Sequence, residues 1–108
     1  MTTNKTNQPT TERNYETTSI ALELANVEPL YTVARRFATN RLAEFANSLE
    51  DLRTRDQIKA DAMKEYVESI LEAQDITNPE TALLVALANA AMQRVDWEDI
   101  AEQIAEEL

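Results

Sequence analysis

Glycine, cysteine and histidine are absent from the 108 residues. Glycine supplies the positive φ angles of tight hairpin turns and the backbone clearance of phosphate-cradling loops. Its absence therefore excludes P-loops and dinucleotide-binding folds and argues against hairpin-built β architecture, while helices lose nothing by it. Without cysteine there is no disulfide framework, thiolate nucleophile or zinc knuckle. Without histidine the commonest general base and the commonest metal ligand are missing, which excludes the classical hydrolytic triads and zinc enzymes. The longest apolar run, Ala82 to Ala88, falls far short of the roughly 20 residues that cross a bilayer. Met1 to Asn14 carries one Lys and one Arg and no apolar run, unlike a secretory signal or transit peptide. The expectation is a soluble, cytoplasmic protein.

What is present is a chain 44% hydrophobic and 28% charged, a composition that folds, of a length that suits one domain. The formal net charge is -10. Residues 1 to 43 and 44 to 64 are nearly balanced, so the excess lies in residues 65 to 108, where eleven carboxylates face a single cation, Arg94. Phosphate contacts need Lys and Arg, so this half is not expected to bind nucleic acid; it favours a protein partner with a basic surface.

The pattern predicts an all-α fold, a compact bundle of four to five helices in residues 15–108 behind a flexible N-terminal arm, 1–14. The arm is rich in Thr, Asn and Gln. A short helix is predicted over Thr18 to Asn26, and Pro29 restarts the chain at a first-turn position. Leu30, Val33, Phe37, Leu42, Phe45, Leu49 and Leu52 then form an apolar stripe that predicts one helix to about residue 53. Thr54 and Gln57 match a capping box and break the pattern before Ile58, Met63, Tyr66, Val67, Ile70 and Leu71. The alternative is a continuous rod through this point, if Asp56 and Lys59 are tolerated on its seam. Asn78-Pro79-Glu80 opens a helix that is apolar on nearly every side and must be surrounded, which points to packing against a second copy. Asp96 caps the last helix, whose apolar face is Trp97, Ile100, Ala101, Ile104 and Leu108.

Two acidic rows are the candidate partner-binding residues. Asp61, Glu65, Glu68 and Glu72 recur at helical spacing, and Glu98, Asp99, Glu102 and Glu106 form a second row. Like charges at this spacing repel, so folding alone does not call for them. Side by side, the rows would offer a crude copy of a phosphate backbone; the plainer reading is the solvated face of a soluble helix. Neither a glycine-turned calcium loop nor a Glu-x-x-His pair is available, so no metal and no cofactor is expected. Arg35, Arg36 and Arg41 form a cluster suited either to an anion or acidic partner, or to ion pairs with acidic helices of the same or a neighbouring subunit. Trp97 reads as an anchor for helix docking. No tyrosine has a base beside it in a catalytic pattern, and no enzymatic activity is expected.

The stretch Val95-Asp96-Trp97-Glu98-Asp99-Ile100-Ala101-Glu102 resembles a V-D-W-x-x-I-A-E segment of small uncharacterised proteins of bacteriophages and other mobile elements. The resemblance covers eight residues. It implies a protein of the kind that inhibits host machinery, of anti-CRISPR or anti-restriction type, by occluding a basic groove in the host cytoplasm. Two other readings stay open: a homo-oligomeric assembly protein whose acidity confers solubility, and a helical protein that sequesters a small molecule or nucleotide in a polar pocket.

Overall fold

The structure is a computed structural model that describes residues 14–108. Five helices follow in order: α1 (Tyr15–Asn26), α2 (Glu28–Phe45), α3 (Arg55–Glu72), α4 (Pro79–Met92) and α5 (Trp97–Ala105), with no strand among the described residues. No described helix is long and apolar enough to cross a membrane. The proposed arm lies outside the described residues except for Asn14, which caps α1 by accepting from the Thr17 amide at 2.8 Å. That cap starts the helix three residues before the expected Thr18.

Sequence-local chemistry accounts for most of the other ends. Thr54 and Gln57 form both bonds of the capping box: Thr54 Oγ1 accepts from the Gln57 amide at 3.1 Å, and the Thr54 amide donates to Gln57 Oε1 at 2.9 Å. Asn78 Oδ1 accepts from the amides of Glu80 and Thr81 beside Pro79. Asp96 Oδ1 accepts from the Asp99 amide at 3.1 Å.

The continuous rod does not form, and the second helix is shorter than its apolar stripe. It ends at Phe45, and Leu49 and Leu52 are almost fully exposed in the connection that follows. Polar side chains there bond their own backbone. Ser48 Oγ accepts from the Glu50 amide at 3.2 Å, and Asp51 Oδ1 from the Arg53 amide at 3.0 Å. Short polar residues favour such local bonds over the helical ladder, and the capping box then holds the next start in place. The chain reverses, and α3 returns antiparallel along α2, with the rings of Phe37 and Tyr66 centred 5.1 Å apart.

Helices α1, α2, α3 and α5 surround one core. Ala34 and Ala38 of α2 are completely buried beside Leu24 of α1, Met63 of α3 and Ile100 and Ile104 of α5. Alanines at these positions let backbones approach closely while branched side chains fill the gaps. Val95 and Trp97 pack on the same core, so Trp97 serves as a docking anchor. Thr17 Oγ1 is buried and accepts from the Asp96 amide at 2.8 Å, which ties the start of α5 to the first turn of α1.

Helix α4 departs from the bundle. Met92 is its one buried residue, and Leu83, Leu84 and Leu87 remain 60%, 66% and 59% exposed. Among the described residues, the surrounding that its composition calls for is not supplied.

Candidate functional site

The charged residues divide into two groups with different surroundings. The first lies where α2 meets α3. Arg41 Nε donates to Glu65 at 2.7 Å, and Arg41 also contacts Glu44 at 3.4 Å. Arg53 bridges Asp51 at 2.6 Å and Asp61 at 2.8 Å. The guanidinium of Arg41 lies over Phe37 and that of Arg53 over Phe45, so aromatic faces orient both forks. Arg41, Phe45, Arg53, Asp61 and Glu65 line a cleft of about 580 Å³ together with Lys64 and Glu68.

Pairing lowers the pKa of the carboxyls here. Hydrogen bonding from Arg41 holds the Glu65 carboxyl below its ordinary range. The Arg53 side chain, and then its amide, lower Asp51 to about 2. Of the predicted row on α3, Asp61 and Glu65 are thus engaged by cations of the same chain, which leaves Glu68 and Glu72 as its outer part. Both line a groove with Val85 and Asn89 of α4. The α3 row is therefore not four open charges.

The second group surrounds α5. Glu98, Glu102 and Glu106 are exposed and line one cleft of about 410 Å³ with Ala101 and with Asp56 and Lys59 of α3. No described cation forms an ion pair with any of these three glutamates. The Lys59 side chain is buried, and its Nζ donates to the carbonyls of Ala105 and Glu106 at 3.0 and 3.1 Å, with an Asp56 carboxylate oxygen at 3.9 Å. Asp99 belongs to the same helix but is partly buried, and it accepts from Gln103 at 3.3 Å. Of the two predicted rows, Asp61, Glu65 and Glu68 line the first cleft and Glu98, Glu102 and Glu106 the second.

The arginine cluster splits as well. Arg35 Nη1 donates to the Ile104 carbonyl at 2.8 Å and pairs with Glu107, whose carboxyl it lowers from its ordinary value. Arg55 donates to the Leu108 carbonyl at 2.9 Å. With Lys59, three cations from α2 and α3 converge on the last turn of α5, where helix carbonyls are unsatisfied and the helix dipole is negative. Arg35 and Arg41 thus pair within the chain, while Arg36 is exposed and pairs with no described residue. Neither Lys59 nor Arg55 stands out as a site residue in the sequence. The one available signal is that Lys59 shares a helical face with Met63, Tyr66 and Ile70, an apolar row in which a lysine needs a carbonyl or carboxylate partner.

Among the described residues no group of three or more Asp and Glu side chains is placed to hold a metal ion. Comparison of the chain with family models, curated proteins and solved structures finds no match in any of the three.

Proposed function

We propose that this protein is a binding module for a basic protein surface, with the exposed face of α5 as its contact. The observation that carries the reading is the row Glu98, Glu102 and Glu106, in a cleft whose one described cation, Lys59, is committed to helix carbonyls and to Asp56. A carboxylate row with no counter-ion among the described residues repels itself and is relieved by Lys and Arg of a partner. A groove that ordinarily holds nucleic acid is the partner of matching chemistry, so the module acts as an inhibitor that occludes such a groove. The resemblance of Val95 to Glu102 to phage and mobile-element proteins fits a host defence complex as the target.

The test is an affinity capture from host lysate at about 50 mM and about 500 mM salt, across which screening removes most exposed charge attraction. Glu98→Gln/Glu102→Gln/Glu106→Gln serves as the control. The expected result is a nucleic-acid-binding protein retained at low salt, lost at high salt and lost with the triple variant. Its binding to labelled duplex or RNA should fall when the purified wild-type protein is added. Capture that ignores both salt and the variant would sink the reading.

A further inference from the structure

We infer that the outer face of α4 is the interface of a two-fold symmetric dimer, in which α4 of one copy lies antiparallel against α4 of a second copy. This goes beyond the acidic-face reading and does not depend on it.

The first observation is the unpartnered surface. Leu83, Leu84 and Leu87 are each about three-fifths exposed, and Ala86 and Ala90 beside them are exposed too. The opposite side of the helix faces the bundle across an apolar cavity of about 320 Å³, lined by Ala88, Ala91 and Met92 with Ile20, Val67 and Leu71.

The second observation is charge. Residues 81–93 carry no ionisable side chain, the longest such stretch in a chain of net charge -10. Two strongly acidic copies repel each other least where their contact is uncharged. A basic partner finds no carboxylate there beyond Glu80.

The third observation gives the direction. Glu80, Leu83, Leu87 and Ala90 of α4, and Arg94 in the turn that follows it, recur at alternating steps of three and four, the spacing of a helix-pair seam. The seam is acidic at one end and basic at the other. An antiparallel copy with the two-fold axis near Leu87 places Glu80 beside Arg94 of the second copy, twice by symmetry, and sets the helix dipoles in opposition. A parallel copy would set Glu80 against Glu80. Arg94 contacts Glu16 at 3.1 Å in the single chain but keeps a largely exposed side chain, so it is free to serve a second carboxylate. Ala86 and Ala90 permit close backbone approach.

Sedimentation equilibrium of the full chain at about 100 μM, well above a micromolar dissociation constant, should give twice the monomer mass. Leu83→Glu/Leu87→Glu should weaken association by roughly 100-fold or more with helical circular dichroism retained. Glu80→Arg and Arg94→Glu should each weaken it, and the two together should restore it. Because the chain has no cysteine, Leu87→Cys gives a single thiol that should cross-link to its copy under mild oxidation, while Leu49→Cys should not. A monomer at this concentration overturns the dimer. Association that survives Leu83→Glu/Leu87→Glu overturns the interface. Failure of the charge exchange to restore association, or of Leu87→Cys to cross-link, overturns the antiparallel register.

Discussion

Lys59 Nζ donates to the carbonyl of Ala105 at 3.0 Å across 46 residues of chain, from a residue only 5% exposed. A second bond to the Glu106 carbonyl and a distant carboxylate, Asp56 at 3.9 Å, complete its surroundings. The ammonium is desolvated, so its value to the fold lies in the helix end it satisfies. Together with Arg35 and Arg55 it makes the C-terminal turn of α5 the most heavily clamped point of the bundle.

Lys59→Met keeps the apolar stem and removes the charge. Two charge-assisted bonds to a helix C-terminus are lost, at a cost of about 2 kcal/mol. In a domain of this size that lowers Tm by roughly 10 °C, measured by circular dichroism. An unchanged Tm would mean that the carbonyls are equally well served by water.

Acid should weaken the fold in a defined window. Arg53 holds Asp51 at about 2, and Glu65 and Glu107 are lowered by Arg41 and Arg35. Between that value and the ordinary aspartate range near 3.9, the unfolded chain binds the proton and the native chain does not. The contribution is therefore complete above the ordinary value and is lost as pH falls through about 4 toward 2. Urea titrations between pH 5 and pH 2 should show this slope, and Arg53→Gln should flatten it. An equal slope in the variant refutes the assignment to Asp51.

Thr17→Val tests the tie between α1 and α5. The substitution is nearly isosteric and leaves the Asp96 amide without its acceptor, at a cost of about 1–3 kcal/mol. The sole tryptophan, Trp97, adjoins that amide. Its emission reports whether the start of α5 loosens before the rest of the bundle melts. Coincident loss of fluorescence and helicity at the wild-type Tm would show that the bond adds nothing.

Leu52→Ser and Thr54→Ala should behave in the opposite order from a hydrophobicity scale. Leu52 is exposed in the connection and its loss should stay within about 0.5 kcal/mol. Thr54 carries the capping box and its loss should cost about 1 kcal/mol. A large effect at Leu52 would mean that the leucine is covered in solution, as the continuous stripe requires.

The amino-acid sequence by itself determined the helical class and most of the helix starts. Absence of glycine disfavours turns built on positive φ, and the caps at Thr54, Asn78 and Asp96 bond to amides within three residues, so nothing distant is needed to form them. It also disclosed the acidic rows and the excess apolarity of α4. Only the tertiary structure decided which of those features are engaged. Arg41 meets Glu65 across 24 residues and Arg35 meets Ile104 across 69, so periodicity along one helix could not show that half of the α3 row is paired while Glu98, Glu102 and Glu106 meet no described cation. The same holds for Leu49 and Leu52, which fit the apolar stripe of α2 in spacing yet lie beyond its end. Local periodicity records which faces a helix has; which of them are covered depends on where the chain turns back.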